Sequence, residues 1–253
     1  MRGKVMDNEK IFLCNYAVAF IDLLGQKNEM LDRYLPEDNE EAIKLVKKSV
    51  GRIVGMQKLF QTYFDSYNTA KSFYSLFPSD IQVAFPDFAP GKLQWQRFSD
   101  GFVIFTPLGK DLSLSPVNSI ISILMASGLL CLTGLAGKSP VRAGIDIAWA
   151  VEYRPGELYG SAIAHSYNLE SKVAQWPRVV IGDGLIDYLE NCAKHIKNDL
   201  SSQYRSMMSH ACLNMIQKDI DGVRIIHYLG KEFNKRANGI VNENIIDKAT
   251  GIH

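Results

Sequence analysis

Residues 17–26 read AVAFIDLLGQ and residues 96–105 read QRFSDGFVIF. Each is a short apolar run with one aspartate, Asp22 or Asp100, set where a carboxylate is costly unless something compensates its charge. The first run predicts a buried strand over 16–22 that turns through Leu24, Gly25 and Gln26. The backbone N–H groups of such a turn can face an anion, which makes Leu24 and Gly25 candidate substrate contacts. The second predicts a hairpin: Leu93 to Phe98, a Ser99-Asp100-Gly101 turn, then Phe102 to Phe105. If the two strands are neighbours in one sheet, both carboxylates lie at the same end and can share one or two hard cations, Mg²⁺ or Mn²⁺. Asp100 also reads as only a turn residue, because Ser-Asp-Gly is ordinary hairpin chemistry.

A third segment, PVRAGIDIAWAVEYRPGELYGSAIAHSYNLESKVAQWPRVVIGDGL at 140–185, adds two more motifs. In order along the chain stand Phe20-Ile21-Asp22-Leu23-Leu24-Gly25-Gln26, the hairpin with Asp100, Arg142-Ala143-Gly144-Ile145, and Glu157-Leu158-Tyr159-Gly160 ahead of a helix ending in Leu169-Glu170. Over roughly residues 16–185 this series resembles the class III nucleotidyl cyclases, whose pattern is F-x-D-I-x-G-F, a second metal aspartate on a hairpin, R-x-G-I, and an acidic residue before an aromatic-glycine pair. The resemblance implies a ferredoxin-like α+β catalytic domain, with helices packed on an antiparallel or mixed sheet. It implies two Mn²⁺ or Mg²⁺ ions per site, held by Asp22, Asp100 and the main-chain carbonyl of Leu23. It also implies a homodimer with composite sites, the metal aspartates on one subunit and the base-reading and helix residues on the other.

The chain departs from the family at four positions. Purine-using members carry a lysine four residues before the hairpin aspartate and an aspartate before the aromatic-glycine pair, and these read the base. Here Gln96 and Glu157 stand there. An amide offers a donor and an acceptor where lysine offers donors only, so a different base edge is expected. The family's transition-state asparagine and arginine fall on Ala164 and Asn168, and neither replaces a guanidinium beside a developing phosphoryl charge. Asn168 is the positional heir, and Lys172 lies one helical turn on. Arg97, Arg142 and His165 stay open as alternatives.

These departures are similar to the pyrimidine cyclases of the bacterial Pycsar antiphage systems. That resemblance implies conversion of UTP to cyclic UMP, or of CTP to cyclic CMP, and a downstream effector that senses the product. Two other readings remain: a catalytically silent homologue that binds a triphosphate, and a diguanylate-type palm enzyme, for which the G-G-[DE]-E-F hairpin is missing. Gln96 and Glu157 also read as a solvated strand residue and a loop charge, Lys172 as a solvated helix lysine, and Tyr63, Trp95, Trp149 and Trp176 as packing.

The composition fits a compact enzyme. At 253 residues and 47% hydrophobic the chain can build one large core. We expect the cyclase domain to span 1–230, with 231–253 a polar tail. A formal net charge of +1 argues against a nucleic-acid surface. The four cysteines form no C-x-x-C pair, which suggests reduced thiols in a cytoplasmic protein. Residues 112–137 carry no charge, yet Asn118, Ser119, Ser122, Ser127 and Thr133 interrupt them and the bulky residues recur at helical spacing, so a helix packed on the sheet is expected rather than a membrane span.

The remaining predicted elements are a helix over 39–64 with Asp38 as N-cap and Glu41 completing a capping box, an irregular stretch over 66–92, and a helix over 115–136. A strand over 141–150, a helix over 161–174, a strand over 178–181, helices over 183–197 and 201–218, and a strand over 223–229 follow. Helices on one face of the sheet are expected.

Overall fold

In the computed structural model the described residues are 12–25, 34–68, 79, 93–98, 101–109, 117–196 and 199–237. Strand β1, Phe12–Leu23, is buried on both faces, and this decides the layering. Successive strand residues point to opposite faces. Ala17, Ala19, Ile21 and Leu23 enter the main core, whereas Cys14, Tyr16 and Val18 enter a second, smaller one.

The main core is roofed by helices. Where one helix over 39–64 was expected, two stand: α1, Asn39–Lys48, and α2, Val50–Asn68. Asp38 caps α1 as predicted, accepting the Glu41 N–H at 2.9 Å. The break falls at Ser49, whose hydroxyl and N–H both donate to the Leu45 carbonyl, a local competition that serine offers a helix. Beyond it α2 turns an apolar stripe inward, with Phe60, Tyr63 and Phe64 fully buried, while α1 buries nothing.

The two hairpin strands pair as read, β2 as Gln94–Arg97 and β3 as Gly101–Gly109, while Ser99 and Asp100 of the turn between them lie outside the described residues. Helix α3, Val117–Ala136, is long and apolar enough to cross a membrane, yet most of its surface is buried inside the protein, as a core helix requires. Strand β4, Val141–Arg154, and β5, Glu157–Gly160, make a second hairpin. Strands β2 to β4 and β1 lie in the order β2-β3-β1-β4, antiparallel throughout. With α2 and α3 as crossovers this is a β-α-β-β-α-β, ferredoxin-like arrangement. The sheet continues through β6, Val179–Ile181, parallel to β4, and then through two short strands, making it mixed.

Helix α4, Ser161–Asn168, extended by a wider π-helical turn over Leu169–Val173, covers the second core. Helices therefore occupy both faces, not one. The cause is β1 itself: Tyr16 and Val18 need cover as much as Ala17 and Ile21 do. Helix α5, Asp183–Lys194, and α6, Leu200–Leu213, return to the main core. The expected extension of α6 to residue 218 does not occur, because Ile216–Lys218 forms β7 and pairs with β8, Arg224–Ile226.

Part of the expected polar tail also belongs to the core. Lys231–Ala237 is helical (α7), and its charged residues hide one apolar edge, Phe233 and Ala237, spaced i, i+4. Phe233 is fully buried against Gly128 of α3, and the Tyr67 hydroxyl donates to the Arg236 carbonyl at 2.9 Å. Residues 238–253 and most of 66–92 lie outside the described residues. Phe233→Ala is expected to cost about 3–5 kcal/mol, read as a lower midpoint in urea unfolding with an unchanged slope.

Candidate active site

The end of β1 gathers charge. Asp22 lies on the face that α4 covers, opposite Gly101 of β3 on one side and Arg142 of β4 on the other. The strand ends there because the Leu24 N–H donates to the Pro140 carbonyl at 2.9 Å and Gly25 takes a φ of +82°, open to glycine. Leu23 turns its side chain into the main core, so any ligand role falls to its carbonyl. Asp100 and Gln26 lie outside the described residues. Gly101, the residue after Asp100, pairs with Asp22, and its carbonyl accepts the Phe98 N–H at 3.1 Å.

Arg142 is held between two carboxylates. Its Nη2 lies 3.1 Å from Asp22 Oδ2, and its Nε lies 2.5 Å from Glu170 Oε1. The second contact is off the N–H line, so charge rather than an aligned hydrogen bond holds it. Glu170 is 2% exposed. Burial, then the nearby Asp22 carboxylate, push its pKa up to about 7, against the opposing pull of Arg142.

The glycine of the R-x-G-I motif explains how Glu170 reaches this position. A Cβ on Gly144 would overlap the Ser166 carbonyl oxygen and lie 2.6 Å from the Glu170 nitrogen, so the helix seats directly on bare strand backbone. The Ser166 hydroxyl pins the contact by donating to the Val18 carbonyl at 3.0 Å. Over Leu169–Val173 the helix widens, with the Ala174 N–H bonding the Leu169 carbonyl at 2.7 Å, and Glu170 is buried while its neighbour Ser171 is not.

Gln96 and Glu157, the pair expected to read a base, are brought together. The Gln96 carbonyl oxygen accepts the Leu158 N–H at 3.4 Å, which sets Gln96 of β2 beside Glu157 of β5. With its oxygen so used, the group the Gln96 amide has left to offer is its NH₂ donor. Within one chain the two helix candidates lie away from Asp22, whose site they were expected to complete from the other subunit. Asn168 is exposed and lines a cleft of about 340 Å³ with Asp146, His165 and Asp183, while Lys172 is exposed on the widened turn, where i+4 stacking on Asn168 is lost. Tyr63 is fully buried in the main core and is packing. Trp95 packs on Phe60 and Phe102, but Trp149 and Trp176 are about half exposed.

Three features escaped the sequence reading. Asp146 is a buried carboxylate satisfied by the N–H groups of Ile147 and Leu185, with His165 Nδ1 3.3 Å from its other oxygen. Phe20 stacks on Phe98, ring centres 5.6 Å apart, and meets the edge of Tyr167 at 5.2 Å, forming an aromatic surface beside Asp22. The Glu170 partner of Arg142 lies on another element. Only the aromatic trio left a signal: Phe20 precedes Asp22 by two residues and so shares its face.

The donor set suits a hard cation. Asp22 is a partly exposed carboxylate at the sheet end, with a main-chain carbonyl adjoining it. Among the described residues no group of three or more His, Cys, Asp or Glu gathers to hold a metal ion by itself.

No family model matches the chain, and no curated protein matches it. Among solved structures it is similar to the adenylyl cyclase CyaB from P. aeruginosa, at 13% identity and a TM-score of 0.40 over 72% of this chain and 84% of that one. It is also similar to the guanylyl cyclase domain of the RhoGC fusion protein from the aquatic fungus Blastocladiella emersonii, at 12% identity and a TM-score of 0.43 over 86% and 96%. A third is the guanylate cyclase domain of RhGC from Catenaria anguillulae in complex with GTP, at 13% identity and a TM-score of 0.40 over 72% and 85%. Likeness at this level says nothing of substrate.

Gly144→Ala is expected to destabilise the fold by about 1–3 kcal/mol through overpacking against backbone that cannot yield. Thermal unfolding of that variant beside Gly128→Ser, whose added atoms meet the Phe233 ring instead, checks whether the two seats fail independently.

Proposed function

We propose that the protein is a nucleotide cyclase acting on a pyrimidine nucleoside triphosphate, converting UTP to 3′,5′-cyclic UMP and pyrophosphate, with CTP the alternative substrate. One observation carries the reading. Asp22, Arg142 and Glu170 converge at one sheet end, next to the hairpin that bears Asp100, and this supports placing the phosphate chemistry where the family resemblance implies it.

The chain's residues have separable tasks. Asp22, Asp100 and the Leu23 carbonyl would hold Mg²⁺ or Mn²⁺, which when bound offsets triphosphate charge and makes the 3′-hydroxyl more acidic. Of the expected Leu24-Gly25 turn donors, the Leu24 N–H is already taken by the Pro140 carbonyl at 2.9 Å, which leaves the Gly25 N–H as the turn's phosphate donor in this reading. Gln96 presents a donor and Glu157 an acceptor, which together match the O4 and N3–H edge of uracil or the N3 and N4–H edge of cytosine. The aromatic surface of Phe20, Phe98 and Tyr167 flanks the acidic end and offers a face for base or partner contact. In this reading two copies complete each other's sites, and the cyclic product is a signal for a separate effector.

The exposed Asn168 and Ala164, neither of which carries charge, favour a second reading, a silent homologue that binds triphosphate without turnover. Product analysis by mass spectrometry separates the two. Incubation with ATP, GTP, CTP or UTP and Mn²⁺ is expected to give a cyclic pyrimidine nucleotide, and Asp22→Asn to reduce it by about 10³-fold, as for the loss of a principal electrostatic group. Triphosphate binding with no product from any of the four supports the silent homologue. Gln96→Lys removes the acceptor for Leu158 and the amide pattern; a fall in the ratio of UTP to ATP turnover is expected, and an unchanged ratio removes Gln96 from base recognition.

A further inference from the structure

The main core is closed by α2 and leaves α1 outside it. Ile53, Met56 and Phe60 of α2 turn inward, whereas α1 is strongly amphipathic and buries none of its residues. Ile43, Val46, Val50 and Val54 are each 40–54% exposed, and their spacing of three, four and four draws one stripe along the surface. Ser49 keeps right-handed helical backbone, so the stripe passes from α1 into the first turns of α2. Tyr34 and Leu35, just ahead of α1, are more exposed still. A lone exposed apolar residue needs no explanation, but a row of them at helical spacing marks a contact surface.

The charge beside the stripe says what it meets. Lys47 and Lys58 stand four residues after Ile43 and Val54, one turn on and to the same side, and Lys44 and Lys48 continue that polar side. Over residues 39–58 the cations Lys44, Lys47, Lys48, Arg52 and Lys58 face only two acids, Glu40 and Glu41, which sit in the first turn of α1 where the helix dipole favours them. A second copy meeting this face about a two-fold axis would set lysine against lysine. The stripe also crowns a convex helix, which gives a peptide no walls but lays a whole row of side chains against a plane.

We propose that α1 and the first turns of α2 form an interfacial surface that docks on an anionic lipid bilayer. Ile43, Val46, Val50 and Val54 enter the boundary between headgroups and acyl chains, and Lys44, Lys47 and Lys58 extend their stems to reach the lipid phosphates. The branched side chains are of moderate size, so apolar burial alone holds the protein weakly and the anionic headgroups supply the rest. Attachment is therefore peripheral and reversible. Helix α2 roofs the face of the sheet opposite to the one Asp22 occupies, so the docking surface is separate from the candidate active site and the claim stands apart from the cyclase reading.

The test floats the full chain with vesicles of phosphatidylcholine alone, and with vesicles of phosphatidylcholine and phosphatidylglycerol in equal parts. Two double variants alter the face: Val46→Ser with Val50→Ser, and Lys44→Gln with Lys47→Gln. A control, Lys194→Gln with Lys218→Gln, removes the same charge from exposed positions on α5 and β7. Circular dichroism and sedimentation without lipid first establish folding and oligomeric state. The wild-type chain and the control are expected to bind the mixed vesicles about tenfold more tightly than the neutral ones, and to be released as salt is raised. Loss of the two lysines is expected to weaken that binding roughly twentyfold, and loss of the two valines about tenfold. Equal binding to both kinds of vesicle, or binding that the face variants leave unchanged, overturns the proposal. A changed oligomeric state in the serine variant overturns it too, and assigns the stripe to a second copy. Should the serine variant fail to fold, the lysine variant decides alone: binding equal to the control's overturns the proposal.

Discussion

The contact between α4 and the backbone of Gly144 sets the geometry of one whole face of the sheet. With no Cβ at that position, the helix settles onto β4 closely enough for Ser166 to hydrogen-bond the carbonyl of Val18 on the adjacent strand. Two polar contacts follow from that seat. Toward the Asp22 end, Glu170 is driven under the helix and against Arg142. Toward the other end, His165 comes to rest on Asp146. A helix raised by even one methyl group would loosen both.

The two buried carboxylates on this face solve the same electrostatic problem differently. Asp146 is satisfied by backbone, accepting from Ile147 and from Leu185 in the first turn of α5, and in doing so caps that helix from a neighbouring strand. Glu170 has no such pair of backbone donors among the described residues and depends on Arg142, which it shares with Asp22. A buried carboxylate with half an arginine to itself has its charged form disfavoured, which is why burial and Asp22 raise its pKa despite the cation. Such an arrangement is poor as a stabilising device. It does keep a guanidinium at the partly exposed edge of an acidic sheet end.

Much of this is legible in the sequence. The strand ending at Asp22, the hairpin at 93–106 and the strand of Arg142 are short apolar runs bounded by glycine turns, and local chemistry suffices to read them. Nothing local told which faces those strands would bury. In β1 large and small apolar residues alternate, Tyr16 and Val18 against Ala17 and Ala19, so hydrophobicity shows no period and the cover of α4 on the second face went unread. The break at Ser49 and the strand at Ile216–Lys218 were lost for a related reason: a serine that bonds its own helix, and a sheet edge waiting for a partner, each overrode a helical pattern. The site divided likewise. Asp22, Gln96 and Glu157 stood out by motif, whereas Arg142 with Glu170 and Asp146 with His165 are pairs 28 and 19 residues apart that only the tertiary seat of α4 creates.

The central claim is that Asp22 anchors a metal–triphosphate site within reach of Arg142. A crystal structure of the protein with Mn²⁺ and α,β-methylene-UTP, with anomalous scattering to locate the metal, tests it most directly. Manganese bound to an Asp22 oxygen, with the triphosphate beside the Arg142 guanidinium and the pyrimidine at Gln96 and Glu157, is the predicted result. Nucleotide bound elsewhere, with the Arg142–Asp22 pair intact and no manganese at Asp22, would contradict it.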